Sequence, residues 1–271
     1  MATRSNSTRS GTVRFGLDWF SITLVLGGML LLYYVIPMIS LFLSVPPGDI
    51  LARMTNPTVV DSATTSLLSA SISTVVATLF GLPLAYWLAR NDGAVTKLVL
   101  AVVVLPLILP PTVGGIVLLT VFGPGSPVGE AAVAAGFPLT RSLAGVVLAQ
   151  IFVASPFVVV TAKAAFESVD QTLEYASHSL GKGRWTTVRH VTLPLAGPGI
   201  LAGVTLAFAR AIGEFGATMM MAYYPRTMPV QIWASFIELG LDNAYPVAIL
   251  LLLIAAVALL ILHIVASNPW E

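Results

Sequence analysis

The sequence predicts an all-α polytopic membrane protein with six transmembrane helices, and three observations carry that prediction. Of 271 residues, 57% are hydrophobic and only 9% are charged, against roughly one quarter charged in an ordinary soluble domain. Lys+Arg 13 and Asp+Glu 12 are too few to cover a soluble surface. Apolar runs long enough to cross a bilayer, about 20 residues each, recur along the chain, and the mean hydropathy is +0.92. Basic residues gather on alternate connections between those runs. The same composition excludes disorder, the net charge of +1 excludes a basic nucleic-acid surface, and Cys 0 excludes disulfides, thiolate nucleophiles and thiolate-held metals.

Taken in order, residues 1–16 are polar, carry Arg4, Arg9 and Arg14 with no acidic residue, and read as a cytoplasmic N-terminal tail. Residues 17–271 read as one transmembrane domain. Its first run, Trp19 to Leu43, is too long for a signal-peptide core and is followed by no small-residue cleavage pattern, so it is a retained span. Further spans are expected at 65–88, 98–122, 143–165, 199–223 and 245–267. Positive loop residues stay on the cytoplasmic side. With the amino terminus inside, Arg4, Arg9, Arg14, Arg90, Lys97, Lys163, Lys182, Arg184 and Arg189 are inner and only Arg53, Arg141 and Arg226 are outer. Both termini are therefore expected in the cytoplasm.

Pro37, Pro83, Pro106, Pro110, Pro111, Pro156, Pro198 and Pro246 sit in or near spans. Each removes a backbone donor, which suits helices packed around a path better than helices surrounded by lipid. The outer connections are 45–62, 123–141 and 224–244. The last carries Val230, Ile232, Trp233, Phe236 and Ile237 at helical spacing, a short helix lying at the outer surface or dipping back between spans.

The sizeable inner loop, residues 167–194 between spans four and five, is organised rather than a linker. Asp170 is placed to cap a helix beginning at Gln171. Leu173, Ala176, Ser177 and Leu180 recur on one narrow face, and Gly181 stands at a left-handed C-cap. So short a helix is marginal alone. It either docks its small face into a partner's groove or rests on lipid headgroups.

Glu174-Tyr175-Ala176-Ser177, then Gly181, then Val191-Thr192-Leu193-Pro194 after nine residues, resembles the cytoplasmic loop signature of ABC importer permeases, over about residues 60–268 in span order. In register with Gly181, the signature's Glu-Ala-Ala falls on Tyr175, Ala176 and Ser177, so Glu174 stands one place early. The resemblance implies a coupling helix seated in a cleft of an ATPase subunit, with Glu174, Tyr175, Ala176, Ser177, Leu180, Gly181 and Pro194 as the coupling residues. The stretch Phe208-Ala-Arg-Ala-Ile-Gly-Glu-Phe-Gly-Ala-Thr218, then Pro225-Arg-Thr-Met-Pro229, and the earlier Leu105-Pro-Leu-Ile-Leu-Pro-Pro-Thr-Val113 are similar to molybdate and tungstate permeases, with sulfate permeases close behind. That likeness implies an oxyanion permease of the cell membrane, working as a homodimer with an ATPase subunit dimer and an extracytoplasmic oxyanion-binding protein, and needing no cofactor.

The sequence contains no Gly-x-x-x-x-Gly-Lys-Ser/Thr phosphate loop, so ATP hydrolysis is assigned to the partner. Apart from Lys163 at the inner end of its span, Arg210 and Glu214 are the only charges inside an expected span, four residues apart on one helix face. They line the path or its gate, or they form a buried structural ion pair. An anion path also has use for hydroxyls such as Thr112, Thr205 and Thr218. Met219, Met220 and Met221 with Tyr223 and Tyr224 read as interfacial packing rather than a soft-metal site, and His178, His190 and His263 have no ligand spacing. Arg226 meets a partner or an anion at the outer surface, or is simply a solvated loop charge. A secondary transporter would need more intramembrane ionisable groups and internal repeats, and an intramembrane enzyme would need a polar catalytic set within the spans.

Overall fold

The structure, a computed structural model, describes residues 19–267, with side chains from 21 to 261. The tail 1–16, with Arg4, Arg9 and Arg14, and the His263 side chain lie outside these limits. The chain divides into two compact units, residues 1–44 and 45–271. The first holds α1 (Trp19–Leu43), an uninterrupted apolar helix that contains Pro37 and matches the first expected span.

The second unit is also helical throughout its described residues. It runs α2 (Pro47–Met54), α3 (Pro57–Arg90), α4 (Ala94–Ile108), α5 (Pro111–Phe122), α6 (Pro127–Ala134), α7 (Leu143–Glu167), α8 (Gln171–Ser179) and α9 (Arg184–Thr187). A π-helical turn (Val188–Thr192) leads into α10 (Leu193–Ile212), then α11 (Gly216–Met221), α12 (Met228–Leu239) and α13 (Leu241–Ser267). Five helical segments of the described chain are long and apolar enough to cross a membrane, and a sixth candidate is the bent pair α4–α5.

Two expected spans are corrected. The run 98–122 is not one straight helix, because the chain bends by 119° between α4 and α5. Pro110 and Pro111 carry no N–H, and proline drives the residue before it into extended conformation, here Leu109 at ψ 136. The run 199–223 is likewise broken, since α10 starts earlier, at Leu193, and stops at Ile212. Gly213 ends it, and a new short helix begins at Gly216.

The core is a triple packing of α3, α7 and α10. One face of α3 is a stripe of small side chains, Ser62, Ser66, Ser69, Ser73, Ala77 and Gly81, all buried. Small residues at this spacing let helix backbones approach closely where burial of apolar surface gives no net drive. Register along α3 and α7 is constant. Ser73 meets Gln150 at 3.2 Å, a Cβ on Gly81 would stand 3.2 Å from Val158, and Arg90 donates to the Phe166 carbonyl at 2.8 Å. The two helices therefore run parallel. A chain that runs twice in one direction has to return between the two runs, and the segment that does so here holds α4 and α5, a sixth candidate span by length and composition. α10 runs antiparallel to α7, with Gly199 against Ala165 and Gly203 against Thr161. In α13, Val247 and Leu250 pack with Val59 near the start of α3, and Ala255 and Ala258 pack deeper, against the cluster holding Ala70 and Ala77. The ends of α3 and α7, the start of α10 and the later part of α13 thus share one face of this unit.

The helix expected in 224–244 is α12. It packs into the bundle against α13 and α3, with Met228, Val230 and Ala234 buried, and the Met228 N–H donates to Ser66 Oγ at 2.7 Å.

Candidate functional site

The segment from Ser168 to Pro194 is built by local signals that the sequence carries openly. Asp170 accepts from the Thr172 N–H at 2.9 Å and caps α8. That bond holds its carboxyl below the usual aspartate range. At the other end Gly181 has φ 78, its N–H bonds the His178 carbonyl at 2.9 Å, and the Lys182 N–H bonds the Ser177 carbonyl at 3.1 Å. These are the two bonds of a left-handed glycine stop. Ser177 Oγ and Thr187 Oγ1 share a hydrogen bond of 2.9 Å that folds α9 back onto α8.

Glu174 is the one buried residue of α8. Arg90, the last residue of α3, reaches it with Nη2 at 2.7 Å from Oε1 and Nε at 3.2 Å from Oε2, while Nη1 takes the Phe166 carbonyl at the end of α7. Thr192 Oγ1 donates to Glu174 Oε1 at 2.8 Å from the π-helical turn. The guanidinium also lies over the Tyr86 ring, 5.6 Å from its centroid. Both charged side chains are nearly closed to solvent, at 11% and 10% exposure. Burial alone would raise the Glu174 pKa. The bonds from Arg90 and Thr192 outweigh it and hold the carboxyl below the usual glutamate range.

With Glu174 turned inward, the opposite face of α8 is bare. Leu173, Tyr175 and Ala176 are exposed, Leu180 is 79% exposed, and Trp185 just beyond is 72% exposed. Ser177 and Pro194 are half-buried, and Gly181 is exposed. The signature's Glu position is therefore occupied by an outward Tyr175, and Glu174 belongs to a different set of contacts from its neighbours. Arg90, Thr192 and Trp185 are members of this region that sequence reasoning missed. Arg90 lies 84 positions from Glu174, and no local pattern could have linked them.

The second group of expected residues gathers where two broken helices meet. A Cβ on Gly216 would stand 3.0 Å from both Pro111 Cβ and Thr112 N, so the start of α11 lies directly on the first turn of α5. Glu214 sits in the break between α10 and α11, fully buried, with Oε2 2.5 Å from Arg210 Nη2. Its Oε1 accepts from the Ala217 N–H at 2.8 Å, capping α11. The ion pair forms as the spacing predicts, though across the end of a helix rather than along one. Arg210 keeps 27% of its side chain exposed. Thr112 is exposed and Thr205 half-buried, while Thr218 is buried with its hydroxyl unpartnered among the described residues.

Arg226 is no solvated loop charge. Its guanidinium lies 5.0 and 4.9 Å from the Tyr223 and Tyr224 ring centroids and pairs with Glu238 at 3.1 Å. It fastens the loop after α11 onto α12. Among the Met cluster, Met221 is buried against Val146 and Val153, which makes it packing.

Comparison with known proteins agrees with this architecture. The family described as binding-protein-dependent transport system inner membrane component matches residues 77–268. A probable molybdenum ABC transporter permease protein of Haloferax volcanii is 55% identical over 253 residues, covering 93% of each chain. The molybdenum transport system permease protein of Mycobacterium bovis is 36% identical over 88% of this chain and 91% of its own. The molybdate/tungstate transport system permease protein of Thermococcus kodakarensis is 34% identical over 83% and 87%. Among solved structures, a bacterial alginate ABC transporter in complex with its alginate-bound periplasmic protein superposes with TM-score 0.73 at 17% identity, covering 90% and 93%, a likeness of fold. With the matched segment running from the second half of α3 through α13 and the breaks, loop and bundle in place, the chain belongs to the inner-membrane components of binding-protein-dependent transport systems.

Proposed function

We propose that this chain is the membrane-spanning permease subunit of an ATP-driven importer for molybdate or tungstate. It works as a homodimer, with an ATPase subunit dimer on one side and an oxyanion-binding protein on the other. The observation that carries this reading is the bare face of α8, held on a charged anchor. A short helix whose one buried side chain ties it to α3 and the π-helical turn, and whose apolar residues all face away from its own chain, is built to be covered by something else. A helix lying on lipid would carry basic side chains on its polar face, and α8 itself has no Lys or Arg. Its partner is the ATPase, and the segment 167–194 lies on the cytoplasmic side, with the basic residues of the α3 and α7 ends. Both termini share that side. Tyr175, Ala176, Leu180, Gly181 and Trp185 meet the cleft, and Glu174, Ser177 and Pro194 hold the helix from behind.

The path runs by the junction of α5 and α11. Arg210 with Glu214 fixes the break that lets α11 lie against Thr112, and the exposed Thr112 offers a hydroxyl to a passing oxyanion without a fixed full charge that would trap it, while the Thr218 hydroxyl is closed off inside the chain. Molybdate and tungstate come from the names of the relatives at 55%, 36% and 34% identity. Sulfate is the second reading, on the likeness of the 208–229 stretch. The deciding experiment reconstitutes the chain with its ATPase and binding protein in vesicles. Vanadate-sensitive uptake of molybdate or tungstate, competed weakly by sulfate, is expected. Uptake without ATP, or uptake of sulfate in preference, would refute it.

A further inference from the structure

We propose that Arg90, Glu174 and Thr192 are positioning residues for coupling: together they form a strut that makes α8 move as one body with the ends of α3 and α7 and the start of α10. This rests on the reading of α8 as the ATPase-docking helix. By backbone proximity α8 packs mainly on α9 and the π-helical turn, so its link to the two parallel core helices runs through the Arg90 side chain. That side chain is unusually constrained. It engages both carboxylate oxygens of Glu174, a carbonyl of α7 and the face of Tyr86 at once, and a bidentate charged fork resists rotation in a way a single bond does not. Thr192 closes the arrangement from the third helix. The π-helical turn that delivers it is defined by the Leu193 N–H bonding the Val188 carbonyl, a geometry that inserts an extra residue and re-aims a side chain. All three residues are buried or nearly so, so none is available to touch the ATPase.

The consequence is mechanical. A push received on Tyr175, Ala176 and Leu180 reaches the membrane helices undamped only if α8 cannot pivot about the short links at 168–170 and 180–183. Without the strut, α8 would still bind the ATPase through its outer face, and hydrolysis would proceed while the helices moved less.

The experiment uses the complete importer in proteoliposomes with molybdate, measuring oxyanion taken up per ATP hydrolysed. Glu174→Gln and Thr192→Val preserve shape and are expected to retain the ATPase while lowering this ratio about tenfold, the size of a typical coupling free energy. Thr192→Ser and the exchange Arg90→Glu with Glu174→Arg are expected to restore part of it. Because the chain has Cys 0, spin labels at Asp92→Cys and Ser179→Cys give a second readout. Their separation should stay fixed across nucleotide states in the unaltered strut and spread in Glu174→Gln. A separation that shifts with nucleotide while the strut is intact, or an attached ATPase with undiminished coupling in Glu174→Gln, overturns the strut alone. Absence of the ATPase from the unaltered complex overturns the docking reading as well.

Discussion

Gln150 of α7 donates through Nε2 to the carbonyl of Ala211 near the end of α10 at 3.0 Å, and its Oε1 accepts from Ser73 of α3 at 3.2 Å. One buried amide thereby joins all three core helices. It sits just before the break that carries Glu214, so it holds the end of α10 in place.

Gln150→Leu keeps the volume and removes both bonds. Interhelical hydrogen bonds in membrane proteins average about 0.6 kcal/mol, so the pair should cost about 1 kcal/mol. A lowered melting temperature of the purified protein in detergent is the expected result, and transport should fall further than stability because the α10 end loses its lateral support.

At the α8 stop, Gly181 adopts a left-handed φ, and nothing of its own chain lies within 4 Å of where a Cβ would stand. Gly181→Ala should therefore cost only the conformational term, about 1 kcal/mol, seen as a small loss of thermal stability. Ala176→Trp places its bulk on the exposed face and should leave the melting temperature unchanged while abolishing ATPase co-purification. Retained co-purification would remove Ala176 from the docking face.

Acid pH should act through Glu174. The folded carboxyl binds its proton less tightly than the unfolded one, which titrates at about 4.3. Its ion pair therefore contributes fully above that value and is lost as pH falls through the lower folded value. Stability of the permease against acid should hold through the usual glutamate range and fail below it. In Glu174→Gln this part of the acid dependence is expected to vanish, measured as melting temperature against pH.

Arg210 and Glu214 can be separated from the path by neutralising both. An unpaired Arg in a span costs about 2.5 to 3.5 kcal/mol on insertion scales, so Glu214→Gln alone should reduce membrane yield. The double change Arg210→Gln with Glu214→Gln removes the unpaired charge and keeps a side-chain oxygen that can cap Ala217. Recovered yield with near-normal uptake is expected of a structural pair, and recovered yield with lost uptake would make Arg210 part of the anion path itself.

What the sequence disclosed, and what it hid, follows the range of the interactions. Asp170 and Gly181 act on residues one to five positions away, and the ends of α8 were legible for that reason. The spacing of Val230, Ile232, Trp233 and Phe236 announced α12, since a helix face is also a local pattern. The Arg210 and Glu214 pairing was legible from four-residue spacing, but the helix end between them was not, because Gly213 inside an apolar run carries little weight in an average over some 20 residues. The same averaging hid the corner at Pro110, although both prolines stood in plain view. Arg90 was counted only as a positive loop charge. Its partnership with Glu174 depends on α3 and α7 running parallel, which is a property of the bundle and not of any stretch of chain.

The corner between α4 and α5 carries one more implication, about hydration. Pro110 and Pro111 carry no N–H, so the carbonyls of Pro106 and Leu107 lose their helical donors, and Thr112 begins a helix with its own N–H free of a preceding turn. The segment is exposed on this chain, from Pro110 through Thr112. Bare peptide groups at membrane depth do not face acyl chains; they face protein or water. The bend therefore marks a stretch of the bilayer from which lipid is kept away, as the path proposed beside Thr112 requires of a place where a hydrated anion keeps part of its water shell.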